Sequence, residues 1–256
     1  MDNKQTVFVA GYPKSGTTWL TRLLGDVLNS PTGGCTPSED HKEVATEGQD
    51  RPGDYIVRKG HFVLIDDGTG PVVPRPHRLA WKQLTDEKIV FIVRDPRDIC
   101  ISGAYHWRVS PEQFLLRMIK GDVARCGQWD QYVNNWLSLH SSFGSKHKKV
   151  TCLLTYESLV NNSYANVKFV LDKFSIKFDS GKMGKAAKRQ SFEQRKAQIK
   201  HRSWHPTEPG NVKEELGRNN MRKGVAGDWK NHFTKEMNDR IWLEFGWMME
   251  RFGYSK

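Results

Sequence analysis

The chain has 256 residues, a formal charge of +11 and 37% hydrophobic residues, enough for one core without disulfide support. The charge points to an anionic partner, but on its own it does not choose among nucleic acid, anionic membrane, nucleotide and acidic acceptor. Cys35, Cys100, Cys126 and Cys152 form no C-x-x-C pair, so reduced thiols in a cytoplasmic protein are expected instead of a disulfide framework. No apolar run approaches a membrane span and the first residues lead straight into a strand, so neither an anchor nor a signal segment is expected.

Thr6 to Ala10 reads as a short apolar strand, and Leu20, Leu23, Leu24, Val27 and Leu28 recur at helical spacing after it. Between them Gly11 and Gly16 bracket a phosphate-sized turn. A strand, a glycine loop and a helix N-terminus together make an anion site, because unpaired backbone N–H groups and the positive end of the helix dipole converge there. The spacing is that of the P-loop pattern G-x-x-x-x-G-K-[ST], except that Thr17 stands where lysine is required and a lysine, Lys14, lies inside the loop instead. Such a loop suits a nucleotide with no phosphate chain to clamp.

Ser30 to Asp54 is rich in Pro, Gly, Thr and acidic residues and is predicted to be a surface loop. Tyr55 to Arg58 follows as a strand leading into Lys59-Gly60-His61, where Lys59 and His61, two apart, would face one side of an extended chain. Asp66 to Pro76 is predicted loop, and His77 to Leu84 a short helix. Lys88 to Val93 is the clearest strand, a continuous apolar run suited to a parallel sheet covered on both faces. It ends in Arg94-Asp95-Pro96-Arg97-Asp98, where a helix can start at Pro96, and Ser102 lies about two turns along it.

Pro111 to Ile119 and Gln128 to Phe143 are predicted helices, and Val150 to Leu154 is a further strand ending near Tyr156. Core packing is the expected role of Trp129, Trp136, Trp229, Trp242 and Trp247. A helix is predicted from Asn166 to Phe174. The stretch from Lys182 to Arg202 is strongly basic, with Glu193 its only acid, and such a charge run is usually a solvated helix face. Met221 to Asn231 is glycine-rich, charged and aromatic, as a loop closing over a ligand would be, and Lys235 to Phe252 is an amphipathic helix. The alternation predicts an α/β fold: a single domain over residues 1–256 with a central parallel sheet flanked by helices. Lys14, Lys59, His61, Arg94 and Tyr156 then gather at the carboxyl ends of strands, where such sheets bind ligands.

Three stretches in this order resemble those of cytosolic-type sulfotransferases that use 3′-phosphoadenosine 5′-phosphosulfate (PAPS). Tyr12 to Trp19 is similar to the family's 5′-phosphosulfate loop, Arg94 through Ser102 to its 3′-phosphate segment, and Arg222-Lys223-Gly224 through Asn231 to its C-terminal nucleotide motif. The resemblance implies that Lys14 and the backbone of Ser15, Gly16, Thr17 and Thr18 hold the 5′-phosphosulfate. It likewise implies that Arg94, Ser102, Arg222, Lys223 and Gly224 take the 3′-phosphate and that Trp19, Tyr156 and Phe192 contact the adenine region. Lys59-Gly60-His61 is similar to the family's lysine-x-histidine element and places His61 as catalytic base, with Lys14, Lys59 and Ser102 assisting. The implied product is 3′,5′-ADP, and no metal is implied.

The expected partner is a small-molecule acceptor, with neither nucleic acid nor membrane. The family's dimerisation element is represented by Lys230, Thr234, Lys235 and Asp239, with Lys235 replacing valine; a monomer or a weak homodimer is expected. Two alternatives stay open at this point: a P-loop kinase, against which Thr17 argues, and a basic nucleic-acid-binding protein, which leaves the glycine loop unexplained.

Overall fold

The computed structural model describes residues 4–34, 48–65, 78–80, 88–142, 151–201 and 223–256. Its centre is a five-stranded sheet of β1 (Gln5–Gly11), β2 (Thr32–Gly34), β3 (Tyr55–Gly60), β6 (Lys88–Val93) and β7 (Thr151–Thr155). All four pairings are parallel, in the order β2-β3-β1-β6-β7. A separate parallel pair joins β4 (Val63–Ile65) to β5 (Arg78–Ala80).

Alternation along the strands splits the core in two, because successive side chains of a strand face opposite sides. Phe8, Ala10, Ile89 and Phe91 face α2 (Pro96–Trp107), α3 (Pro111–Lys120), α4 (Trp129–Ser142) and the C-terminal helix Lys235–Arg251. Val7, Val9, Val90 and Ile92 face the other way, towards α1 (Thr17–Val27), α5 (Tyr156–Asn161), α6 (Ser163–Lys173) and α7 (Ser180–Arg189). Burial of each such aliphatic side chain contributes about 1.5–3 kcal/mol, which is why the continuous apolar run of β6 lies inside the sheet. Helix α8 (Phe192–His201) follows α7, and the C-terminal helix is α9.

Two expectations need correction. The stretch from Ser30 to Asp54 is not loop throughout, since Thr32–Gly34 pairs with Val57 to Lys59 as an edge strand. Arg78–Ala80 is strand where a helix was expected, because its backbone pairs with Val63–Ile65; residues 81–87 lie outside the described residues, as do 66–77. The basic run resolves into α7 and α8, with Lys182, Lys185, Lys188 and Lys196 exposed and Met183 and Ala186 in the core, the arrangement of a solvated helix face. Trp129 and Trp136 are core residues as expected, whereas Trp247 is 51% exposed and bonds Asp130 through its indole N–H at 2.9 Å. Cys100, Cys126 and Cys152 are free and buried; Cys35 is outside the described residues. Among the described residues no helix is long and apolar enough to cross a membrane.

Candidate active site

The turn between β1 and α1 is built to leave donors unpaired. Gly16 sits at the helix N-terminus with φ 96, and a Cβ there would come within 2.7 Å of the Tyr156 ring. Side chains of Asp95, Ser110, Thr155, Asn162, Asp179 and Thr234 cap α2, α3, α5, α6, α7 and α9. Helix α1 has no side-chain cap and no acidic residue in its first turn, so its N–H groups and its positive end are directed at the loop. Lys14 adopts φ 72, a left-handed conformation that costs a non-glycine residue free energy and tends to occur at functional sites.

Two segments bring cations to this turn beside its own Lys14, and the C-terminal segment joins them through Val225. Arg94, 6% exposed at the end of β6, donates from Nη1 to the Lys14 carbonyl at 3.1 Å and lies 4.0 Å over the Tyr156 ring. Lys59, near the carboxyl end of β3, donates to Thr18 Oγ1 at 2.8 Å. Lys223 reaches back to Asp228 at 2.8 Å, and the backbone carbonyl of Val225 accepts from Arg94 Nη2 at 3.4 Å. Burial, then Arg94 and Lys59, lowers the Lys14 amine to about 7. Burial, then Arg22, lowers Lys59 to about 8. Crowded, partly desolvated amines of this kind are stabilised by an incoming anion.

His61 stands just past β3, and its Nδ1 lies 2.7 Å from the Gly11 carbonyl. A carbonyl can only accept, so Nδ1 carries the hydrogen and Nε2 keeps its lone pair. Burial lowers the imidazole to about 4; the Gly11 carbonyl works against that shift, while Lys59 and Lys14 add to it. His61 is thus neutral at ordinary pH, with a basic nitrogen beside two cations.

Trp19 donates its indole N–H to the Gln190 carbonyl at 2.8 Å and meets Tyr156 edge-on at 6.0 Å. Phe192 packs so close to Gly224, itself at φ 71, that a Cβ on Gly224 would lie 2.2 Å from the ring. Ser102 is half-buried on α2, on the helix that begins beside Arg94. The sequence-derived candidates Lys14, Ser15, Gly16, Thr17, Thr18, Trp19, Lys59, His61, Arg94 and Tyr156 are therefore linked through the β1–α1 turn, and Phe192, Lys223 and Gly224 join from the C-terminal segment. Arg222 lies outside the described residues.

Two buried polar atoms test whether an anionic ligand fits. Ser15 Oγ and Arg94 Nε are both buried and make no hydrogen bond among the described residues, a costly state that acceptor oxygens of a phosphate or sulfate group would relieve. Sequence reasoning assigned no role to Arg97, Asp98 and Asp228. Arg97 is 2% exposed, bonds Asp95, Asn238 and the Ser255 carbonyl and stacks 3.6 Å from Trp229, while Asp98 is fully buried and accepts two backbone N–H groups. For Arg97 and Asp98 the sequence signal was charge inside the first turn of a helix, with the partners of Asp98 about 130 residues away, whereas Asp228 is held by its near neighbours Lys223, Asn231 and His232.

An all-parallel sheet with an uncapped strand–loop–helix turn at its centre, ringed by cations and a neutral histidine, defines a P-loop-like α/β enzyme acting on a multiply anionic nucleotide. Residues 4–253 match the model of the sulfotransferase domain, and the chain belongs to that family. It is 26% identical to mouse sulfotransferase 2A6 over 250 residues, covering 90% of this chain and 79% of the relative. Among solved structures, mouse sulfotransferase SULT7A1 complexed with PAP superposes with a TM-score of 0.66 at 24% identity, covering 96% of this chain and 84% of that one. Retinol dehydratase in a complex with retinol and PAP gives 0.60 at 17% identity over 95% of this chain and 81% of that one. These superpositions show the fold.

Proposed function

We propose that the protein transfers the sulfonate of PAPS to a hydroxyl or amine of a small-molecule acceptor, with His61 as the base. The observation that carries this reading is the meeting of Lys14, Lys59 and the His61 ring at one uncapped helix N-terminus. Both solved neighbours described above carry PAP, the product that such a donor leaves behind, and one also holds retinol, a small alcohol. The donor supplies an activated sulfonate whose leaving group is a phosphate.

Lys14, Ser15 Oγ and the backbone N–H groups of Gly16 to Thr18 hold the 5′ end, and Arg94, Ser102, Arg222, Lys223 and Gly224 hold the 3′-phosphate. Trp19, Tyr156 and Phe192 flank the base. His61 Nε2 takes the acceptor's proton as oxygen or nitrogen bonds to sulfur, and the bond from sulfur to the bridging oxygen breaks with its electron pair staying on the phosphate. Lys14 offsets charge on that oxygen and Lys59 charge on the sulfonate, in the way cations assist phosphoryl transfer. Ser102 restrains Lys14 until the acceptor is in place. Negative charge brought in beside Lys14 and Lys59 weakens their repulsion of the imidazolium, so His61 becomes a better base once the donor is bound. We read the enzyme as cytoplasmic and as a monomer or weak homodimer; Asp239 is paired within its own chain to Lys235 at 3.1 Å and Lys256 at 2.8 Å.

Thermal shift with 3′,5′-ADP, PAPS, ATP and AMP tests the donor, since a ligand at about 100 times its Kd adds roughly 2.7 kcal/mol. A shift with 3′,5′-ADP no larger than with AMP would remove the two-phosphate site. His61→Asn should keep 3′,5′-ADP affinity within about twofold and lower sulfonate turnover by 10²-fold or more, on the order of a lost general base. Near-normal turnover of that variant would remove His61 as base.

A further inference from the structure

We propose that Asp98 is the positioning residue that builds the 3′-phosphate site, an inference that rests on the two-phosphate reading above. Asp98 lies on the first turn of α2, four residues after Arg94, and is fully buried. Its Oδ2 accepts the Gly227 N–H at 2.6 Å and its Oδ1 accepts the Trp229 N–H at 2.9 Å. Arg94 Nη2 stands 3.9 Å from the same Oδ2 and donates to the Val225 carbonyl at 3.4 Å, while Nη1 holds the Lys14 carbonyl at 3.1 Å. One carboxylate thereby ties together the phosphosulfate loop, the start of α2 and the C-terminal segment that carries Lys223.

The geometry of that segment makes the tie directional. Gly227 has φ 79 and leads into a single 3-10 turn, Asp228–Asn231, so the N–H groups of residues 227 and 229 point to one carboxylate. Arg97 clasps the Trp229 ring from the preceding position of α2, and Asp228 is buried against Lys223, Asn231 and His232. Residues 227–229 are therefore pinned, the Val225 carbonyl is held against Arg94, and the exposed Lys223 is tethered to Asp228. Asp98 itself is shielded from solvent and acts only through Arg94 and the loop backbone.

Asp98→Asn tests this because its amide offers one acceptor in place of two and turns a donor towards a backbone N–H. Affinity for 3′,5′-ADP should fall about tenfold or more, the size expected for a lost charge-assisted bond in a positioned loop, while AMP affinity changes by less than about twofold. Titration calorimetry of both ligands against wild type and variant gives the readout, and the preference for 3′,5′-ADP over AMP is the quantity that loss of overall stability does not move. If the wild type shows no such preference, the two-phosphate reading fails and takes this inference with it. If the wild type prefers 3′,5′-ADP and Asp98→Asn prefers it equally, the reading stands and Asp98 is only structural. Amide hydrogen exchange on the wild type decides the matter even where the variant does not fold. Gly227 and Trp229 amides should exchange about a hundredfold slower than Val225 in the free protein and slow further with 3′,5′-ADP but not AMP. Free-loop exchange rates at residues 227 and 229 would overturn the proposal.

Discussion

Saturating the protein with PAPS at pH 8, with no acceptor present, should draw about 1.4 protons per site out of solution. In the free protein Lys14 is lowered to about 7 and Lys59 to about 8. At pH 8 the first amine is about one-tenth protonated and the second about half. The 5′-phosphate set against Lys14 and the sulfonate set against Lys59 reverse the balance that burial imposes, so both become charged on binding. The phosphates themselves are fully ionised at pH 8 and contribute little, whereas near pH 6 their own titration would mask the effect. Titration calorimetry in two buffers of different ionisation enthalpy counts the protons directly. Lys14→Met should reduce the count to about 0.5 and weaken binding. The same pair of shifts sets a stability trend: the unfolded chain keeps both amines charged to about 10.5, so unliganded stability should rise from pH 7 towards that value. Equal heats in both buffers at pH 8 would refute the electrostatic picture of the loop.

Two further substitutions probe the scaffold. Gly16→Ala forces a side chain into a φ of 96 and to within 2.7 Å of Tyr156, so it should cost about 1–3 kcal/mol of stability and abolish the 3′,5′-ADP thermal shift; a normal shift would show that the turn is more plastic than drawn. Arg97→Ala leaves the buried Asp95 carboxylate without its bidentate partner at 2.8 Å and should cost about 3–5 kcal/mol by urea denaturation, whereas a loss below about 1 kcal/mol would mean that water replaces the guanidinium.

What could be read in advance divides along physical lines. The β1 turn, the β6 strand and Arg94 were legible because local periodicity and a few glycines dictate them. The Thr32–Gly34 edge strand was not, since three residues with two glycines carry no pattern, and only their pairing to β3 makes them a strand. Arg78–Ala80 likewise owes its conformation to Val63–Ile65 and not to its own propensity. Lys59 and His61 were expected to face one side; the structure brings both to the β1–α1 turn, but by separate means, one through the Thr18 hydroxyl and one through the Gly11 carbonyl. Arg97 and Asp98 escaped notice as site residues because charge at a helix start ordinarily means solvent, and nothing nearby in sequence announces their distant partners.

The Gly11 carbonyl accepts from His61 and, at 3.2 Å, from the Tyr132 hydroxyl of α4, so the proposed base is registered to the packed interior through β1 and α4. Surface segments could then be lengthened, shortened or rewritten without displacing the nitrogen proposed to take the proton. A scaffold of this kind separates the choice of acceptor from the act of transfer, and a change of acceptor need not begin by rebuilding the chemistry.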